Sequence, residues 1–176
     1  ADGLVDGVVR LASLGQDSHR RFYEAPAVGY QRSGLAETLY VSIGSGYRAH
    51  PLDEETDEAF FMLVDRDFKS SEQKDVIGRG DLTAVGASTT ADPDGDGWRF
   101  DFTRDGEKVM SSPTIFQGDV FFTTYVPTDI DQEEDPCQIL YGKAFAYRAS
   151  MFSGEARSFT NDGSASWDGE ELGNPG

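Results

Sequence analysis

The chain has 176 residues, and its 15 Lys and Arg against 32 Asp and Glu give a formal net charge of −17. This charge repels phosphate backbones and anionic lipid head groups, and no basic cluster offsets it, so no nucleic-acid partner is predicted. The longest apolar run, at 59–64, has six residues, whereas a membrane-spanning helix requires about 18. With 38% hydrophobic residues the chain can still form a folded core.

Strands are predicted along the whole chain. Short runs rich in β-branched and aromatic residues are bounded by Gly, Pro, Asp and Ser, and helical periodicity is hard to find. The run 59–64 is apolar throughout, which predicts a strand covered on both faces, whereas 98–102 alternates aromatic and charged residues like an outer strand with one solvated face. In chain order, the predicted strands are 21–28, 37–41, 59–64, 82–85, 98–102, 108–115, 119–123 and 145–147.

These strands form an internal repeat, with units at about 20–67 and 98–150. The alignment places Pro26 opposite Pro113. In each copy the sequence predicts a strand that contains a proline, a hairpin turn, a second strand and a third strand. A long acidic connection, here called the excursion, joins the second and third strands. The aligned segments are 21–28 with 108–115, 37–41 with 119–123, and 61–63 with 145–147, at offsets of 87, 82 and 84.

The repeat predicts an incomplete β-propeller. Four-stranded sheets packed face to face, with buried inner strands and amphipathic outer strands, are typical of propeller blades. A spacing above 80 residues exceeds the ~40 to 50 of a plain blade, so each copy carries an insertion, here the acidic excursions 44–58 and 126–142. A closed propeller needs about four to eight blades. We therefore expect a partial propeller of two to three blades over 1–153, completed by a longer polypeptide or by other copies, and a poorly ordered Gly/Ser/acidic tail at 154–176.

Several segments carry a family resemblance. They are 20–26 (RRFYEAP), 43–53 (IGSGYRAHPLD), 60–63 (FFML), 97–102 (GWRFDF), 106–109 (GEKV), 121–127 (FFTTYVP) and 135–137 (DPC). In this order they resemble segments of PilY-type proteins, the tip-associated adhesins and assembly factors of type IV pili. The matches run from about residue 20 to 148, roughly three-quarters of the chain.

The resemblance implies both a fold and a role. In the family these segments belong to the C-terminal β-propeller, of the pyrroloquinoline-quinone-like type, on a large exported protein. The implied location is outside the cell, at the pilus tip, after export through the periplasm. The implied role is non-enzymatic, in pilus assembly and tip-mediated adhesion. Its partners would be the remainder of the propeller or other chains, pilins or minor pilins, and a host or abiotic surface.

One acidic loop predicts a calcium site. Asp92, Asp94 and Asp96 place carboxylates at alternate positions, and Gly97 is sixth, where calcium loops need a sharp turn. The twelfth position is Thr103, where such loops usually have a bidentate Glu. An acidic surface turn is the alternative. The resemblance does not supply the loop, because the family's Asp-rich calcium loop lies upstream of the matching segments.

A second candidate is Arg79-Gly80-Asp81, the tripeptide that integrins recognise. A functional copy would present an exposed Arg and an exposed carboxylate that splay from a glycine turn. An ordinary turn that enters a strand is the alternative, because tripeptides recur by chance.

No catalytic motif is found, so the chain is not predicted to be an enzyme. The sequence has neither a Gly-x-Ser-x-Gly elbow nor a phosphate-binding glycine loop, and His19 and His50 do not have metal-ligand spacing. Ser45 has no plausible base, so it is interpreted as a turn residue. A quinoprotein dehydrogenase fragment is an alternative on the same propeller, although Cys137 stands alone and no quinone is expected. A purely structural subunit of an extracellular filament is another.

Overall fold

The computed structural model describes residues 9–15, 19–70, 72, 75–127, 142–159 and 165–173. In these residues the fold is all-β, as predicted, with a single 3-10 helix at Arg79–Asp81. The strands are β1 (Ala12–Ser13), β2 (Ala27–Ser33), β3 (Ala36–Gly44), β4 (Ala59–Asp65), β5 (Ile77–Gly78), β6 (Thr83–Ala84), β7 (Gly97–Asp101), β8 (Lys108–Val109), β9 (Thr114–Phe116), β10 (Asp119–Val126), β11 (Lys143–Ser150) and β12 (Glu170–Leu172).

The first sheet has the strand order β2-β3-β4-β7-β6. Strands β2, β3, β4 and β7 are antiparallel neighbours, and β6 runs parallel to β7. Trp98 and Phe100 of β7 are buried. The strand predicted as an outer strand at 98–102 is not the last in the sheet, because β6 pairs with Trp98 and Arg99 at its outer edge.

The second sheet has the order β12-β11-β10-β8, and β9 also pairs with β10. Gln117 and Gly118 form the β9–β10 turn with φ values of 51° and 85°, which suits a two-residue hairpin with right-handed twist. Strands β8 and β9 lie along the same edge of β10 and are separated by 110–113. Pro113 lies in this gap. Proline has no N–H to donate, so it would interrupt the hydrogen bonds of a paired strand, but in the gap no such bond is lost.

The main core lies between the two sheets. Phe60 of β4 stacks on Phe122 of β10 with ring centroids 3.8 Å apart, and Phe122 stacks on Tyr147 of β11 at 4.9 Å. Trp98 and Val120 are fully buried in the same cluster. The two repeat units are thus stacked face to face, as adjacent propeller blades are.

A smaller core covers the other face of the first sheet. Phe61 and Leu63 of β4 pack there against Leu14, Ile77 and Leu82, which belong to or flank the parallel pair of β1 and β5. Strand β4 is therefore covered on both faces, as its uninterrupted apolar run predicted.

The predicted alignment of the repeats needs correction. Pro26 precedes Ala27, which pairs with Ser42 near the end of β3, whereas Pro113 precedes Thr114, which pairs with Phe121 near the start of β10, so the two prolines do not correspond. Ala36 and Asp119 are the first residues after the two hairpin turns. Asp119 therefore corresponds to Ala36 and not, as predicted, to Glu37. The order of strands in the two copies is the same, but the predicted register is wrong, because the interruption at 110–113 between β8 and β9 changes which residues pair across the sheet.

The expectation of a poorly ordered tail is wrong for residues 154–159 and 165–173. Trp167 is 8% exposed and stacks on Phe100 with ring centroids 4.0 Å apart, and β12 pairs with β11. Burial of one large aromatic side chain outweighs the polar composition around it.

Most of the excursion at 126–142 lies outside the described residues, and so does Asp135-Pro136-Cys137. Within the part of the chain that is described, no helix has the length and apolar character needed to cross a membrane.

Candidate functional site

A cleft of about 960 Å³ lies between the β1–β5 pair and the segment that follows β4. Its lining mixes apolar and charged side chains. The apolar members are Val9, Leu11, Val64, Phe68, Val76 and Ile77, and the charged members are Arg10, Asp65, Arg66, Asp67, Asp75, Asp81 and Asp96. One residue from each of the two predicted sites, Asp81 and Asp96, therefore reaches the same cleft.

The Arg79-Gly80-Asp81 tripeptide forms the 3-10 helix, in which Arg79 is half-buried and Gly80 and Asp81 are exposed. The Arg79 guanidinium donates to Asp101 Oδ1 at 2.7 Å, and the Arg79 carbonyl accepts from Arg99 at 3.0 Å. Asp81 Oδ2 accepts the Gly78 N–H at 2.8 Å. Recognition of this tripeptide by an integrin would require the Arg79–Asp101 pair to break, and the tripeptide stays a prediction from the sequence.

The loop that contains Asp92, Asp94 and Asp96 is held by its own hydrogen bonds. Asp92 Oδ1 accepts the Asp94 N–H at 3.0 Å, and the Asp96 carbonyl accepts the Val64 N–H at 2.9 Å. The Arg66 guanidinium donates to two further carbonyls of the loop, those of Pro93 at 2.7 Å and Gly95 at 2.9 Å. A protein cation thus binds backbone oxygens of the loop directly.

The three carboxylates are not arranged as a metal site. Among the described residues, no group of three His, Cys, Asp or Glu side chains could hold a metal ion. Calcium therefore stays a prediction from the sequence, and the geometry of the loop gives it no support.

Sequence reasoning missed Lys108, which anchors the excursion of the first repeat. Its side chain is completely buried, and Nζ donates to the carbonyls of Pro51 at 2.8 Å and Asp53 at 2.6 Å. Burial lowers the pKa of Lys108, and the nearby charges of Asp53 and Glu58 oppose that shift. The available signal was a lysine at the start of the predicted strand 108–115, followed by the apolar Val109 and Met110.

A second buried charge lies at the end of the same excursion. Glu58 is 4% exposed, and its carboxylate lies beside the Ser45 hydroxyl and the Tyr47 amide. Burial raises the pKa of this carboxyl, and these two polar groups, followed by the charges of Arg20 and Lys108, partly offset the shift. Ser45 is buried nearby, where its hydroxyl donates to the Ala59 carbonyl and accepts the Ala59 N–H. Ser45 is thus a turn residue, as interpreted from the sequence.

A third buried group ties the tail to the second sheet. Glu107 accepts hydrogen bonds from the Tyr147 hydroxyl at 2.5 Å and the Thr124 hydroxyl at 2.6 Å, and it pairs with Arg104 at 3.2 Å. Arg104 also donates to the carbonyl of Asp168 in the tail. Burial and the bond to Glu107 raise the pKa of Tyr147 well above its ordinary value, so the phenol stays neutral and continues to donate.

No protein-family model matches the sequence, and no curated protein matches it. The fold is similar to the crystal structure of the Pseudomonas aeruginosa PilY1 C-terminal domain, with a TM-score of 0.58 and 15% sequence identity. The chain has a PilY1-like fold. The match covers 86% of this chain and 35% of the PilY1 chain, so this chain spans about a third of the length of that structure. The predicted fold class, an incomplete β-propeller, is confirmed. The described residues contain two stacked five-stranded sheets of it.

Proposed function

We propose that this chain is a non-enzymatic, extracellular component of the type IV pilus machinery that contributes to pilus assembly and tip-mediated adhesion. The observation that carries the proposal is the PilY1-like stack of two sheets, which extends over 86% of the chain. The motifs between residues 20 and 148 add support, because they resemble segments of the same family and follow one another in the same order. A similarity at 15% identity shows only the fold. The role in pili is therefore a proposal.

In this role the two sheets form a rigid frame, and the connections between strands meet the partner. The acidic cleft beside β4 and the excursion anchored by Lys108 are the two surfaces that the frame holds in place. Pilins, minor pilins or a host or abiotic surface are the proposed partners. Export through the periplasm is part of the same proposal.

The test is a deletion of the gene in its own host, complemented with the wild-type gene or with variants. Surface pilin, measured after shearing, reports assembly, and retention of cells on a surface reports adhesion. We expect both to fall on deletion and to recover with the wild-type gene. Replacement of Asp75 and Asp81 by Asn tests the cleft, with Lys69→Met as the control, because Lys69 does not line the cleft. Normal piliation together with normal attachment after deletion would contradict the proposal.

Calcium is a separate part of the proposal. A calorimetric titration with CaCl₂ compares the wild-type protein with Asp94→Ala. A site at 92–96 predicts heat in the wild-type protein that the variant lacks, whereas identical heats would exclude it.

A further inference from the structure

The cleft beside β4 is lined in part by apolar side chains that remain open to solvent. Val9, in the segment before β1, is 40% exposed, and Val76, just before β5, is 37% exposed. The half-buried Phe68 follows β4 and lines the same cleft. Its volume of about 960 Å³ lies in the upper part of the range of about 300 to 1,000 Å³ that is typical of ligand sites. Apolar side chains gathered in a cleft of this size indicate a binding surface, whereas single exposed apolar residues are ordinary.

The cleft also carries an excess of negative charge, because two Arg and five Asp line it. Of the two Arg, Arg66 directs its guanidinium at the loop before β7, where it donates to the Pro93 and Gly95 carbonyls. The aspartates come from four separate segments, which are brought together by folding: Asp65 and Asp67 after β4, Asp75 before β5, Asp81 in the 3-10 helix and Asp96 before β7. A ligand with complementary charge is therefore a cation.

Lys and Arg side chains meet both conditions of this cleft. Each has an apolar stem, which can pack on Val76 and Phe68, and a charged head, which can pair with an aspartate such as Asp75. A segment in which Lys or Arg adjoin apolar residues would therefore contact the apolar side chains and also pair with the aspartates.

The longer parts of this chain outside the described residues do not have that character. The two longest, 1–8 and 128–141, contain no Lys or Arg and seven Asp or Glu. Either segment would bring negative charge to a negative cleft, which costs free energy. Charge complementarity therefore favours a basic segment, and neither of these two is one.

We propose that the cleft binds a short segment of a partner protein in which Lys or Arg adjoin apolar residues. The aspartates select the positive charge and steer the encounter, and the exposed valines together with Phe68 select the apolar neighbours. The occupant thus differs from a bare polycation, which would pair with the aspartates alone. The inference concerns the cleft and holds or fails independently of a role in pili.

The test is a titration followed by fluorescence anisotropy of a dye-labelled hexapeptide of alternating lysine and leucine. We expect saturable binding at one site per chain, which weakens as the salt concentration rises. A peptide with glycine in place of leucine should bind about tenfold more weakly, because it buries no apolar side chain. A peptide with glutamate in place of lysine should not bind. Equal affinity for the leucine and glycine peptides would overturn the proposal.

Two double variants separate binding in the cleft from general attraction to an acidic protein. Asp75→Asn with Asp81→Asn should weaken binding about fivefold, and the asparagine at 81 keeps an oxygen for the Gly78 N–H. Glu170→Gln with Glu171→Gln makes the same change in charge on the exposed β12, which does not line the cleft, and should leave the affinity unchanged. Equal weakening by both pairs would overturn the proposal. Circular dichroism checks that each variant is folded, and Asp75→Asn alone replaces the first pair if that pair is not.

A further titration distinguishes a partner protein from another part of the same polypeptide. The leucine peptide is titrated into the polypeptide encoded by the whole gene. Binding there with the same affinity supports a separate partner. Binding by the 176-residue chain that is lost in the whole polypeptide would show that a segment of the same polypeptide occupies the cleft, and would overturn the proposal.

Discussion

Replacement of Lys108 by Met should destabilise the protein by about 3 kcal/mol. Met has a similar length, so the change removes the ammonium and leaves most of the apolar stem. Two charge-assisted hydrogen bonds, to the Pro51 and Asp53 carbonyls, are worth roughly 1.5 to 3 kcal/mol each. The free energy lost with these bonds is partly offset, because Met carries no charge that must be desolvated. Removal of one member of a buried charge pair typically costs about 3 to 5 kcal/mol, which agrees with a net loss of about 3 kcal/mol.

Urea unfolding followed by circular dichroism measures this difference, and Lys69→Met is the matched control. Lys69 pairs with Glu37 on the surface with 68% of its side chain exposed, so its loss should cause no measurable change. Hydrogen exchange at the amides of His50 and Asp53, which close the turns of the excursion, should accelerate in Lys108→Met alone. This result would show that the excursion detaches locally.

A double-mutant cycle with Glu58→Gln tests whether the two buried charges act together. Lys108→Met leaves Glu58 in its buried position with less positive charge nearby. The double variant should therefore be more stable than the sum of the two single changes predicts, by about 1 kcal/mol. If Lys108→Met were no more destabilising than Lys69→Met, the buried lysine would not anchor the excursion and the reasoning would fail.

Phe60→Ala removes a completely buried ring from the stack between the sheets and should lower the free energy of unfolding in urea by about 3 to 5 kcal/mol. Phe60→Leu should lower it clearly less, and equal losses would show that ring packing is not the cause. Glu58 has a pKa raised above its ordinary value of 4.5, so stability should fall as the pH rises from 4.5 through the folded-state pKa, and Glu58→Gln should flatten that part of the profile. Arg66→Met should speed amide exchange at Asp94 and Gly95 by removing the bonds to the Pro93 and Gly95 carbonyls, whereas Arg32→Met should not. Sodium chloride should raise the melting temperature, because screening weakens the self-repulsion of a −17 chain; a fall would indicate that surface ion pairs dominate.

The strand pattern was predictable because strands are local. The run at 59–64 is apolar at every position, and it forms most of β4, which is covered on both faces. The order of strands in each repeat followed from the same local signals. The register did not, because Pro113 sits at a break between β8 and β9 and a short insertion there moves every later residue. Register depends on which residues pair across the sheet, which a linear comparison cannot show.

The candidate sites were less predictable, because motifs specify residue types and not partners. Arg79 and Asp81 match a recognition tripeptide, but their partners are Asp101 and the Gly78 amide. The contact between Lys108 and the Asp53 carbonyl joins residues far apart in sequence. A lysine inside a strand was the available signal, and it indicates a buried cation only once the excursion is known to fold over it.

Several of the basic residues of this acidic chain hold its connecting segments and carboxylates in place. Lys108 and Arg66 donate to loop carbonyls, and Arg104 and Arg148 pair with Glu107 and Asp119. Each contact joins a connecting segment or a carboxylate to the sheets, and of these cations Arg66 also lines the cleft, where two Arg face five Asp. The excess of negative charge then remains on the outside, around the cleft and along the excursion. A partner that meets this chain there through complementary charge would need to be basic, and its association rate would fall as salt concentration rises.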